Sequence, residues 1–102
     1  MSIASQGNIL SSATNEKITN LSIPVINTEV ALVLENRVSQ ILIKHRNGGN
    51  IKMSFKLGES STKYWSIIKG NAMSIDGIKF SGKTLYLQSD VIGIIEIMEL
   101  YF

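Results

Sequence analysis

Between Ile51 and Leu57 the chain reads Ile51-Lys52-Met53-Ser54-Phe55-Lys56-Leu57, with an apolar residue at every second position and a polar one between. Side chains of a strand point alternately to two faces, so such a run makes a strand with one face in a core and the other in water. The same period returns over residues 30–34, 41–44, 64–68, 83–88 and 94–97, each run bounded by Gly, Asn, Ser or Asp. Seven or eight short antiparallel strands at spacings of about ten residues indicate an all-β domain, a two-sheet β-sandwich or jelly roll, with a small barrel as the rival closure. No helix longer than one turn is expected.

The residues between these runs set the expected connections. Asn47-Gly48-Gly49-Asn50 joins two alternating segments and tolerates positive φ, which predicts a tight hairpin there. Ser81-Gly82 predicts a second turn, and Asp76-Gly77 and Ser89-Asp90 are turn pairs whose short polar side chains bond nearby amides. Pro24 cannot donate to a β ladder, so the segment around it is expected at a sheet edge or at the entrance to one. In the last run, Ile94 to Phe102, strict alternation slips after Ile97, as a bulge would produce.

A chain of 102 residues, 44% apolar and 18% charged, suits one domain able to bury a core without metal or disulfide. Residues 1–20 differ in kind, being rich in Ser, Asn, Gln and Thr with scattered apolar residues at Ile3, Ile9, Leu10 and Ile18. They are expected to form an extended N-terminal arm before a β-sandwich domain over residues 21–102. Such an arm is either a disordered end or one that becomes ordered against a neighbouring subunit, with those four residues as anchors. Tyr101 and Phe102 close the chain, and apolar residues there pack on the domain's own core or on a partner.

Several chemistries are excluded or weakened by residue type. Without cysteine there is no disulfide, zinc thiolate or thiol nucleophile. His45 is the only histidine, so a multi-histidine metal site or His-paired triad has too few members, and His45 is expected to cap a strand end. Gly77-Ile78-Lys79-Phe80-Ser81-Gly82-Lys83-Thr84 fits the phosphate-loop pattern, yet its interior is strand-like and the residues after Thr84 keep period two. A hairpin turn is the better reading. No two carboxylates fall in a recognisable cleft, so no catalytic, cofactor-binding or metal residue is assigned.

The net charge of +2 comes from lysines and glutamates alternating with apolar residues, which describes a solvated sheet face rather than a nucleic-acid surface. No run reaches the about 18 apolar residues of a membrane span, and the N-terminus lacks the form of a secretory signal, so synthesis in the cytosol is expected. Tyr64 and Trp65 are adjacent, and in an alternating strand one faces the core and the other water. The outward one is the interface candidate.

From Thr62-Lys63-Tyr64-Trp65-Ser66-Ile67 through Gly70, across Asp76-Gly77-Ile78, and on through Gly82-Lys83-Thr84-Leu85-Tyr86-Leu87-Gln88-Ser89 to Gly93 and Glu96-Ile97, the sequence resembles small β-sandwich proteins of tailed bacteriophage particles. Modules of that kind carry a TKYxxIxxG strand and turn, a TLYxQS strand, and a closing strand with a Glu-Ile pair. The likeness spans residues 28–100. The richness in Ile, Lys and Asn and the polar arm are most similar to auxiliary capsid proteins of crAss-like phages that infect gut bacteria. Here Ile68-Lys69-Gly70 stands where Pro-Ala-Gly is frequent.

The resemblance implies a non-enzymatic virion component without cofactor, made in the host cytoplasm and carried on the phage head. There it would be an auxiliary or decoration protein or the base of a head fibre, present in many copies. Its implied partners are the major capsid protein and other virion proteins, with a homo-oligomer compatible and neither nucleic acid nor membrane involved. Ile3, Ile9, Leu10, Ile18, Trp65, Tyr101 and Phe102 are the expected partner-binding residues. The competing readings are a carbohydrate-binding or adhesin-like module that holds a glycan on Tyr64, Trp65 or Tyr86, and a trimeric tail or fibre subunit.

Overall fold

A computed structural model describes residues 14–76 and 82–101 of the chain. The alternating runs become eight strands: β1 (Asn15–Ile23), β2 (Val30–Val33), β3 (Val38–His45), β4 (Ile51–Ser54), β5 (Trp65–Ile67), β6 (Ala72–Asp76), β7 (Thr84–Ser89) and β8 (Gly93–Tyr101). Their pairing makes two antiparallel four-stranded sheets, ordered β1-β8-β3-β6 and β2-β7-β4-β5. Every connection except that from β4 to β5 carries the chain from one sheet to the other, which is the winding of an eight-stranded jelly roll. The expected all-β sandwich therefore forms, as two separate sheets rather than a barrel, and no helix occurs among the described residues.

The core lies between the sheets. Ile41, Ile43, Ile95 and Ile97 from the first sheet meet Ile51, Leu85 and Leu87 from the second, all of them at or below 1% exposure. These are the inward members of the alternating runs, and each removes a large aliphatic side chain from water at a gain of about 1.5–3 kcal/mol. Tyr101 packs against this cluster, so the end of β8 is held by the domain's own core.

The segment 47–50 is not a hairpin. Strand β3 pairs with β8 and β6, whereas β4 pairs with β7 and β5, so residues 46–50 arch from one sheet to the other. A glycine-rich reversal serves either geometry. What decides is the long pairing of β3 with β8, made between residues distant in the chain.

Two further expectations are corrected. The irregularity lies in β3, where Ser39 is the extra residue between Val38 and Gln40, while β8 runs in unbroken register against β1. The bulge lets Val38 and Ile41, three apart, both face the core. Alternation in β8 never slips: Ile95, Ile97 and Glu99 point inward and Met98 outward, so the buried residue at position 99 is the polar one. Secondly, β1 begins at Asn15 and pairs with β8 along its whole length, so a strand crosses the boundary expected between residues 20 and 21. Lys17 and Thr19 take inward-leaning positions of that strand, which hides its period from a reading of apolar residues alone. β1 is an edge strand and Pro24 follows it directly, as a residue without an N–H requires.

Between β4 and β5 the chain folds back over the outer face of the second sheet. The Glu29 carboxylate accepts from Gly58 N (2.8 Å), Ser60 N (3.2 Å) and Ser60 Oγ (2.6 Å), and Gln88 Nε2 donates to Ser60 Oγ (2.9 Å). Ser60 and the outward-facing Gln88 are buried as a result.

Candidate interaction surfaces

Four connections, β1 to β2, β3 to β4, β5 to β6 and β7 to β8, meet at one end of the jelly roll, where they are joined through Asn50 and Asp90. The Asp90 carboxylate accepts from Asn50 N and Asn50 Nδ2, both at 2.8 Å, and Asn50 Oδ1 accepts from Lys69 N at 2.8 Å. Asn27 N donates to Ser89 O (2.7 Å), and Ile94 N donates to Asn47 Oδ1 (2.9 Å). One polar hub thus fixes the relative positions of all four loops.

His45 closes β3 as the sequence reading expects, and its ring is part of this bracing. Nδ1 accepts from Asn47 N (3.0 Å), so in the neutral ring Nε2 carries the proton and donates to Ser89 Oγ (2.9 Å). The Ser89 hydroxyl in turn donates to Val91 O (3.0 Å). Ser89, His45 and Asp90 lie near one another, but a nitrogen that donates to the hydroxyl is not its base, and Nδ1 faces a backbone amide rather than the carboxylate. The arrangement is a clamp.

Around the hub the loops carry large aliphatic side chains to the surface. Val25 and Ile26 precede Asn27, Ile68 precedes Lys69, and Val91 and Ile92 follow Asp90; all five are exposed, Ile92 at 62%. Hydrogen-bonded loops that leave these aliphatic side chains in water give this end of the molecule an exposed apolar character. Sequence reading missed it, because Ile26 and Ile92 look like ordinary members of apolar runs.

The carboxylates of these networks report on acid stability. Bonds from Asn50, first its backbone amide and then its side chain, hold Asp90 below its usual 3.8. The Ser60 hydroxyl, with the amides of Gly58 and Ser60, lowers Glu29 below 4.5. Glu96 is lowered chiefly by Arg46, whose Nε lies 2.6 Å from it, and then by Lys44. A carboxylate depressed in the folded state stabilises it above the unfolded value and loses that contribution as pH falls through the folded one. The melting temperature is therefore expected to be level down to about pH 5 and to fall steadily below about pH 4. Glu29→Gln should flatten that acid limb, and an unchanged limb in Glu29→Gln would assign the effect elsewhere.

Of the expected partner-binding residues, the three that are described, Ile18, Trp65 and Tyr101, do not share one surface. Ile3, Ile9, Leu10 and Phe102 lie outside the described residues. Ile18, 59% exposed, lies on the outer face of the first sheet in a row with Met98 and Leu42, beside a polar rim in which Glu96 pairs with Arg46 and Lys44. Trp65 is at the other side of the molecule, on the outermost strand of the second sheet. Tyr101 is half-buried against the core.

Tyr64 and Trp65 depart from the expected division into one inward and one outward ring. Strand β5 begins at Trp65, so Tyr64 precedes the alternation, and it is 43% exposed. Trp65 occupies the inner row beside Met53, but the sandwich is open at this edge and the ring is 65% exposed. Both rings border one cleft of about 610 Å³ between the edges of β5 and β6. Lys52 Nζ stands 4.8 Å from the centroid of Tyr64. Tyr86 lies on the outer face of the second sheet and does not border the cleft.

Of the phosphate-loop pattern, residues 77–81 lie outside the described residues, and Thr84 opens β7, a strand where a phosphate loop needs a helix. Among the described residues no three His, Asp or Glu side chains gather as a metal site, and no helix is long and apolar enough to cross a membrane. Compared with known proteins, the chain matches no family model, no curated protein and no solved structure.

Proposed function

We propose that this chain is a structural protein of a tailed-bacteriophage virion that docks on the outside of the head, as an auxiliary or decoration protein or as the base of a head fibre, and acts without catalysis. Jelly rolls build both viral capsid and lectin domains, so the fold leaves function to its surfaces. The observation that carries the reading is the loop end, where five aliphatic side chains stand exposed around the Asn50 and Asp90 hub. Because the loops are already ordered, covering them costs this chain little further conformational freedom. One such patch is small, and repetition over many copies on a lattice raises the total attachment. The resemblance of residues 62–97 to phage particle modules names the lattice, with the major capsid protein as partner.

The test is the number of copies retained on purified particles. Ile26→Asp combined with Ile92→Asp is expected to lower occupancy at least about tenfold, equivalent to about 1.4 kcal/mol, while the melting temperature changes by only a few degrees, since both side chains are in water. Full occupancy would remove the loop end from the docking surface. The arm is tested separately by deleting residues 2–13, because a cut at residue 20 would also remove part of β1. Loss of particle binding with unchanged circular dichroism is expected for the shorter deletion.

A further inference from the structure

We propose that the cleft between the edges of β5 and β6 binds a neutral saccharide, a property that goes beyond head docking and does not depend on it. Three aromatic residues line the cleft, and two of them are exposed, Trp65 at 65% and Tyr64 at 43%. Its volume of about 610 Å³ falls in the range of small-ligand sites, which combine apolar and aromatic walls with a few polar groups. The C–H face of a pyranose ring covers an exposed aromatic face, and its hydroxyls then need partners around the rim.

The rim supplies them in both senses. Lys63 and Asp76 line the cleft, and neither side chain has a hydrogen bond or ion pair among the described residues. Ser54 Oγ accepts from Lys56 N (3.0 Å) and Ser74 Oγ accepts from Gln40 Nε2 (2.7 Å), so each hydroxyl keeps its own proton to donate. Among the described residues the lining therefore offers an ammonium and two hydroxyls as donors and a carboxylate as acceptor, and their formal charges sum to zero. Sugar hydroxyls both give and take hydrogen bonds and answer the whole set. A proline-rich peptide, the other ligand that favours aromatic grooves, presents carbonyl oxygens and hardly any donor, which leaves Asp76 facing acceptors. A polyanion would suit the Lys63 ammonium but would offer Asp76 like charge and no donor. The Lys52 ammonium over the Tyr64 ring helps fix that ring before a ligand arrives.

Trp65 is the only tryptophan, so its emission reports on the cleft directly. The full chain is titrated with cellohexaose, chitohexaose, xylohexaose and maltohexaose, and in parallel with decaproline. The expected result is a saturable emission change with at least one hexasaccharide, at a dissociation constant below about 1 mM. Tyr64→Ala and Asp76→Asn, which retain the tryptophan, should each weaken it at least about fivefold, and Trp65→Ala, followed by calorimetry, at least about tenfold. Circular dichroism should show all three variants folded, since the three side chains are exposed. No saturation by any hexasaccharide up to about 5 mM, binding that survives Trp65→Ala, or saturation by decaproline alone overturns the assignment. Particle occupancy of Trp65→Ala separates the two functions: it should match that of the unaltered protein, and loss of occupancy would make the cleft part of the docking surface instead.

Discussion

Gly93→Ala should destabilise the domain by about 2–4 kcal/mol, the sum of an overpacking cost and one weakened hydrogen bond. Gly93 opens β8 where the arch from β3 to β4 passes over it, and a Cβ at this position would collide with the Asn47 carboxamide and lie 2.9 Å from Asn47 Cβ. Asn47 cannot simply withdraw, because its Oδ1 accepts from Ile94 N and so holds the arch to β8. For a domain of this size the expected fall in melting temperature is roughly 10–30 °C. Gly48→Ala is the control: it lies in the same arch at φ 79° with open space around it, so only backbone strain of about 1 kcal/mol applies. Asn47→Gly removes the side chain that the added methyl group would strike, so Gly93→Ala in that background should cost less than alone and keep only the backbone strain of a side chain at φ 158°. Additive effects in this cycle, or a Gly93→Ala cost within about 0.5 kcal/mol of zero, would show that the contact does not constrain the fold.

The same arch marks where sequence reading stops. Strand β4 was legible because Ile51 and Met53 alternate with Lys52 and Ser54, a pattern set by the strand's own two faces. Whether the chain turned back beside itself or crossed to the other sheet at residues 47–50 depended on β3 pairing with β8, some fifty residues downstream. A local pattern holds no record of that choice. Polar residues at inward positions caused the other misreadings. Lys17 and Thr19 made β1 look like an arm, and buried Glu99 beside outward Met98 made regular β8 look bulged. The hub was out of reach for a related reason, since Asn50 and Asp90 are 40 residues apart and each alone is an ordinary turn residue. Trp65 could be singled out by type, but its setting needed the third dimension: the cleft exists because β5 and β6 are edges of facing sheets.

Glu99 shows what such an inward polar residue does. It is fully buried, opposite Lys17 on one side and Ile41 on the other, and its Oε1 accepts from Glu35 N at 2.7 Å. Lys17 Nζ turns instead to Glu35 Oε2 at 2.7 Å, and among the described residues Glu99 Oε2 has no hydrogen-bond partner. The single bond to Glu35 N ties the β2 to β3 crossover to β8, next to Arg37, a non-glycine residue at φ 64°. Glu99→Ala removes the acceptor and leaves a void, for an expected loss of about 2–4 kcal/mol from the orphaned amide and the cavity together. Glu99→Gln keeps both the Oε1 acceptor and the side-chain volume, and its cost should stay within about 1 kcal/mol. Hydrogen exchange at the Glu35 amide separates this tie from mere space-filling, because protection should vanish in Glu99→Ala and persist in Glu99→Gln. Glu99→Leu fills the space without an acceptor, so it should lose that protection as the alanine variant does while recovering part of the stability. If Glu99→Leu instead kept the Glu35 amide protected, the crossover would be held by packing alone.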